Sequence, residues 1–166
     1  MGLCYATLVC GVPGPTGSVW EGGLFPIRMA FPADYPVKPP RVKFPALFCH
    51  PNVFPSGTVS RSVLRPDEDW EPSITIKEIL RVCQWSLDDP NPNSPAQAEA
   101  YHLFIAAKPA YDVKIREIAA HHTEAKFLAE HGETFVDPAT ELTTGRPRPR
   151  GQDGVFDDGD RSLDTT

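Results

Sequence analysis

Proline and glycine interrupt this chain too often for a helical bundle. Nineteen prolines and twelve glycines make up about 19% of 166 residues, against roughly 12% in an average protein. Proline lacks a backbone donor and clashes inside a helix, so short strands and turns are expected over much of the length. The excess stops short of low complexity. With 40% apolar and 23% charged residues, the chain has the means to build a packed core of one-domain size.

Charge and cysteine usage exclude several classes. Residues 1–130 hold 14 acids and 12 bases, and residues 131–166 hold 8 acids and 4 bases. Neither part is a basic footprint for nucleic acid. No apolar run approaches the roughly 18 residues of a membrane span, and no basic-then-apolar leader opens the chain. Neither nucleic acid nor membrane is therefore expected as a partner. Cys4, Cys10, Cys49 and Cys83 form no CxxC pair, so free thiols in a reducing compartment are expected. A zinc site built from Cys4, Cys10, Cys49 and His50 would follow no standard ligand spacing, and no metal is expected.

Two regions are visible. Residues 1–130 alternate apolar runs with turn residues and then turn helical. Residues 131–166 are acidic, contain Pro and Gly, and end in GQDGVFDDGDRSLDTT, which predicts a disordered tail. Within it, Arg146, Arg148 and Arg150 alternate with Pro147 and Pro149, a pattern that reads as an extended solvated linker.

The core reads as α+β, with an antiparallel meander of three or four strands followed by helices. Strands are expected at residues 5–10, 24–31 and 41–44. Pro26 inside the second suggests an edge strand or an interrupted ladder. Thr75 and Glu78 form a capping box ahead of the stripe Ile76, Ile79, Leu80, Cys83, Leu87. Ser94 as cap, Pro95 at the first position and Gln97 closing the box predict a second helix running towards Ala107. Pro109 opens a third, with Tyr111, Ile115, Ile118, Ala119 and His122 on one face.

Six runs occur in order across about 110 residues: VWEGGLF at 19–25, FPADYPVKPPRVKF at 31–44, HPN at 50–52, PSGTV at 55–59, DWEPSITIKEIL at 69–80 and PAQAEAY at 95–101. Together they resemble the catalytic core of the ubiquitin-like-protein conjugating enzymes. PSGTV, PAQAEAY and the long spacing from Leu64 to Trp70 are similar to the SUMO-conjugating branch. The resemblance implies the α+β fold of that family. It also implies an amphipathic helix ahead of the first strand, which this chain is expected to lack because Met1 stands so close to Tyr5. Most of these residues are framework: prolines pre-set loops, and the glycines of WEGG allow a tight turn beside a buried Trp20.

The family's chemistry is a two-step acyl transfer through a cysteine thioester, and the family places that cysteine after Gly-Thr-Val. Here the run is Gly57, Thr58, Val59, Ser60, Arg61, so Ser60 occupies the nucleophile position. A serine needs an adjacent general base that a thiol does not. His50 and Pro51 belong to the structural HPN turn, and no nucleophile-elbow pattern is present. The resemblance assigns Asn52 to oxyanion stabilisation and loop shaping. It makes Phe54 a tyrosine without its hydroxyl and Ser94 the replacement of an acid. In the family that tyrosine and acid together prepare the attacking lysine. Arg61 stands where an apolar residue is expected. Gln97 and Tyr101 fall where the family contacts substrate, and Cys49 fills an aromatic position.

Three functions follow as expectations. The first is a conjugating-enzyme-like protein of the ubiquitin-like modifier pathway, inactive or impaired because Ser60 replaces the thioester cysteine. The second is a working SUMO-conjugating transferase, forming an oxyester on Ser60 or carrying a cysteine there in its true sequence. The third is an interaction module unrelated to modifiers, using the Trp70–Pro72 loop and the sheet face. The partners implied are a ubiquitin-like modifier, SUMO ahead of ubiquitin, and a ligase or activating enzyme, with that contact weakened by the missing helix. No cofactor is implied, since ATP belongs to the activating enzyme, and the family's compartments are nucleus and cytoplasm.

Overall fold

A computed structural model describes residues 4–132 of the chain. The expected disordered tail therefore lies outside the described residues, apart from His131 and Gly132, and so does anything preceding Cys4. Among the described residues, three strands precede four α-helices: β1 (Cys4–Pro13), β2 (Leu24–Pro32), β3 (Arg41–Lys43), α1 (Ile76–Asp88), α2 (Ala98–Ala106), α3 (Lys108–His121) and α4 (Glu124–His131). A short 3-10 turn spans Ser62–Leu64. The strands form an antiparallel sheet in the order β1-β2-β3, the expected α+β meander.

Of the two readings of Pro26, the edge strand is excluded because β2 is central, and the interrupted ladder is what the pairing shows. The proline is tolerated because β3 pairs only with Arg28, Met29 and Ala30, so on that side no strand needs a donor from residue 26. β1 also runs three residues further than its apolar run suggested, because Gly11, Val12 and Pro13 pair with Pro26, Phe25 and Leu24. Pairing overrides the turn character of those residues.

The core lies between the sheet and the helices. Ile79, Cys83 and Leu87 of α1 are buried, as are Tyr111, Ile115 and Ala119 of α3. Both stripes match the 3.6-residue period read from the sequence. The Thr75–Glu78 capping box is present, with side chains and backbone N–H groups exchanging hydrogen bonds in both directions. An aromatic stack joins the sheet to the site: Phe44 and Phe48 lie 4.4 Å apart, and Phe48 and Trp20 lie 5.4 Å apart. α4 was not foreseen. Thr123 caps it, Phe127 is buried, and the Leu24 N–H bonds the His122 carbonyl just before it. That bond, with the Phe25 ring against His122, ties the end of α3 to the start of β2.

Cys10, Cys49 and Cys83 are free thiols. Burial pushes Cys83 up to about 12 and raises Cys49 as well. Cys49 is buried in the same core cluster as Phe44 and Phe48, a filler of apolar space rather than a nucleophile. Among the described residues no group of three His, Cys, Asp or Glu side chains comes together as a metal site. No described helix is long and apolar enough to cross a membrane.

Candidate active site

The site is assembled from segments with little regular structure, each held by backbone hydrogen bonds. After β3 the chain makes the HPN turn and a hairpin in which Val53 bridges Val59. The hairpin is closed by Phe54 N–H to the Thr58 carbonyl and by Gly57 N–H to the Phe54 carbonyl, at 2.9 and 2.7 Å. It returns the chain so that the Ser60 N–H reaches the Asn52 carbonyl at 2.9 Å. Ser60 is thereby fixed beside the HPN turn, 8% exposed.

Asn52 is the hub. Its Nδ2 donates to the carbonyls of Asn91 and Ser94, both at 2.8 Å, and its Oδ1 accepts from the Asn91 N–H at 2.7 Å. The side chain is 1% exposed. Both amide hydrogens are committed to the 91–94 loop, so in this conformation Asn52 shapes the loop and offers no donor to an oxyanion. At about 1 kcal/mol per hydrogen bond, Asn52→Ala is expected to lower stability by about 2–3 kcal/mol. A shift in denaturation midpoint worth under about 0.5 kcal/mol would refute this account of the loop.

The residues expected to cap the second helix do something else. α2 begins at Ala98, with Gln97 as its N-cap and no side-chain capping bond. Ser94 is therefore not the cap. The N–H groups of Ala96 and Gln97 donate to the Pro51 carbonyl at 2.7 and 3.3 Å, while the Ser94 carbonyl is held by Asn52. The HPN turn supplies what a capping side chain would have supplied, and residues 95–97 stay outside the helix. Sequence reasoning saw a local box because the competing acceptor lies more than forty residues away.

His50 is buried and neutral. Its Nδ1 accepts from the Asn52 N–H at 3.0 Å. Its Nε2 lies beside the Ser86 and Leu87 carbonyls without a well-formed bond among the described residues. Desolvation, with Arg61 adding repulsion, pushes its pKa down to about 3. Such an imidazole is a structural member of the turn, as read from the sequence, and not a base for Ser60. The linkage has a definite sign. The unfolded chain protonates His50 near pH 6.5 and the folded chain only near 3, so acid favours unfolding. Between those limits the site should lose about 1.4 kcal/mol of stability per pH unit. In His50→Gln that contribution is absent, and the stability difference from the parent should shrink as pH falls from 6.5 to 4. Parallel pH profiles for the two chains would refute it.

Two arginines flank Ser60. Arg65 Nη2 donates to Ser60 Oγ at 2.9 Å, and its Nη1 pairs with Glu68 at 2.5 Å. Arg61 Nη2 donates to the carbonyls of Asp89 and Ser86 at 2.7 and 3.3 Å, and its guanidinium lies 5.8 Å from the Trp85 ring centre. Arg61 is thus a C-terminal cap of α1, where a cation is favoured by the helix dipole. Its burial holds it below the ordinary arginine range. The apolar-to-charged change at position 61 was visible in the sequence, but its acceptors were not. Arg65 was missed altogether, and its only signal was its place one 3-10 turn after Ser60.

Phe54 stands on the outer side of the hairpin, 43% exposed. Tyr101 is half-buried one turn into α2, its N–H bonded to the Gln97 carbonyl and its ring against His102. The structure therefore draws Ser60, Asn52, Pro51, Ser94 and Gln97 into one hydrogen-bonded assembly. Phe54 and Tyr101 lie on the elements around it.

An antiparallel meander followed by helices, with an HPN turn buttressing the residue after Gly-Thr-Val, defines a conjugating-enzyme core. The sequence model of the ubiquitin-conjugating enzyme family matches residues 4–119, and the chain belongs to that family. It is 53% identical over 107 residues to a Dictyostelium discoideum protein named Sumo-conjugating enzyme ubc9, covering 64% of this chain and 67% of that one. It is 51% identical over 107 residues, with the same coverage, to SUMO-conjugating enzyme SCE1 of Arabidopsis thaliana.

Proposed function

We propose that this chain acts in the SUMO-conjugation pathway as a binding scaffold that does not complete the thioester cycle. The observation that carries the reading is the partner of the Ser60 hydroxyl. Oγ accepts a hydrogen bond from Arg65, and a guanidinium cannot take its proton. His50, the nearest imidazole in sequence, is already bonded to the Asn52 N–H. A serine so placed has neither the intrinsic thiolate character of cysteine nor a base to replace it.

The altered positions support the same reading. Phe54 lacks a hydroxyl and Ser94 lacks a carboxylate, the two groups that the family resemblance assigns to preparing the lysine. The framework from β1 to α3, by contrast, is intact, and the chain shares about half its aligned residues with SUMO-conjugating relatives. Surfaces for protein contact remain, among them Val37 at 70% exposure, in the loop whose Pro36 carbonyl accepts from Trp70 Nε1. The partners implied are a SUMO-like modifier together with a ligase or activating enzyme, and the compartments are nucleus and cytoplasm.

The test is direct. The chain is incubated with activating enzyme, ATP and SUMO, then separated on a reducing gel. No adduct is expected. A band that survives thiol reductant and yields to mild hydroxide would mark an oxyester on Ser60, overturning inactivity in favour of a slow transferase.

A further inference from the structure

The Ser60 hydroxyl has one unfilled role. Its oxygen accepts from Arg65 Nη2 at 2.9 Å, and among the described residues no acceptor meets its hydrogen. Arg65 spends one N–H on that oxygen and one on Glu68, at 2.5 Å, of the five that a guanidinium carries. The acceptors of the same turn are engaged. The Asn52 carbonyl accepts from the Ser60 N–H, Asn52 Oδ1 from the Asn91 N–H, and His50 Nδ1 from the Asn52 N–H. Two donors, one of them cationic, therefore meet where the family chemistry uses an electron-rich sulfur. The neighbouring Arg61 adds positive charge to the turn, its Nη2 bonded to backbone carbonyls. Such a pair selects a carboxylate, which carries only acceptors and takes two donors at once.

We propose that Ser60 and Arg65 bind the free C-terminal carboxylate of a SUMO-like modifier, one oxygen on the Ser60 hydroxyl and the other on an Arg65 N–H, with no covalent bond made or broken. The proposal rests on the scaffold reading above and names how such a scaffold holds its modifier. Access decides the kind of carboxylate. Ser60 is 8% exposed and the Arg65 side chain 44% exposed. So narrow an approach admits the end of an extended chain more readily than a side chain on a folded surface. A groove of about 840 Å³, lined in part by Arg61, Ser62 and Glu68, opens alongside and gives room for the residues that precede the carboxylate. Glu68 is the competitor. Its pair with Arg65 is exposed on both sides, and such pairs are worth little, so an incoming carboxylate can displace it.

The experiment is calorimetric titration of the full chain at low salt, without ATP or activating enzyme. The probes are SUMO with a free C-terminal carboxylate and the same protein with a C-terminal amide. The parent should bind the carboxylate form at least about tenfold more tightly, the effect of one charge-assisted hydrogen bond. Arg65→Gln should erase most of that preference, and Ser60→Ala should reduce it. Glu68→Gln should enlarge it, because the competing carboxylate is gone. Lys126→Gln, an equal change of net charge on α4, should leave it unchanged, and circular dichroism checks that each variant is folded. Equal affinity for the two SUMO forms, absent binding of both included, would overturn the proposal, and so would a preference untouched by Arg65→Gln. Either result leaves the scaffold reading standing, because that reading falls on an adduct in the reducing gel and not on this ratio.

Discussion

Ser60→Cys is expected to convert the chain from one that forms no adduct into one that loads a modifier as a reductant-sensitive thioester. Serine without a general base forgoes the roughly 10²–10⁴-fold that proton removal supplies. A thiol near its ordinary pKa of about 8.5 is already a few per cent thiolate at neutral pH. The surroundings favour the change. Arg65, which now donates to Ser60 Oγ at 2.9 Å, would lie against a thiolate and stabilise it. Loading of the variant should therefore exceed that of the parent by at least about 10²-fold. Should the Ser60→Cys chain form no adduct, the block lies in recognition by the activating enzyme, and the account that rests on the hydroxyl falls.

Discharge to lysine is a separate step with a separate expectation. In the Ser60→Cys background, adding Phe54→Tyr and Ser94→Asp should speed discharge by on the order of 10²-fold, while loading changes little. The acid can be introduced without dismantling the loop, because Asn52 holds the backbone carbonyl of Ser94 and not its side chain. The same rate with and without the two changes would show that these positions do not prepare the nucleophile.

A large effect on folding is expected from Gly57→Ala. Gly57 has φ +86, and a Cβ there would stand 2.0 Å from the Phe44 carbonyl oxygen, which is backbone and cannot rotate away. The left-handed conformation alone costs a side chain about 1–2 kcal/mol. Relieving the overlap would also strain two bonds of this turn, from the Phe44 N–H to the Gly57 carbonyl and from the Gly57 N–H to the Phe54 carbonyl. A loss of about 4 kcal/mol is expected, read as a fall in denaturation midpoint with an unchanged slope. Because this hairpin carries Ser60 back to Asn52, the double variant Ser60→Cys with Gly57→Ala should also load more slowly than Ser60→Cys alone. A near-neutral Gly57→Ala would mean the turn is not under the constraint its geometry describes.

Much of the framework was legible without coordinates, and for physical reasons. The stripes of α1 and α3 obey the helical period, and the Thr75–Glu78 box spans only three residues, so both are written locally. The strands were located by apolar runs between Gly and Pro, although their ends were set by pairing, as at Pro13. What the sequence left open or misled on shares one cause. Pro26 read as either an edge strand or an interrupted ladder, and the structure shows the second, because the sequence does not say how far β3 reaches. Ser94 looked like a cap because the carbonyl of Pro51 and the amide of Asn52 are remote in sequence.

The residues alone established the family, the α+β layout, and the presence of a hydroxyl where the family chemistry uses sulfur. All of these follow from residue identity and short-range order. Tertiary structure decided what that hydroxyl meets: Arg65 on Oγ, a neutral His50 turned to the Asn52 backbone, and an Asn52 amide spent on the 91–94 loop. Hydrogen bonds and desolvation depend on which groups share a volume, and folding joins Asn52 directly to Ser94, 42 residues further along the chain.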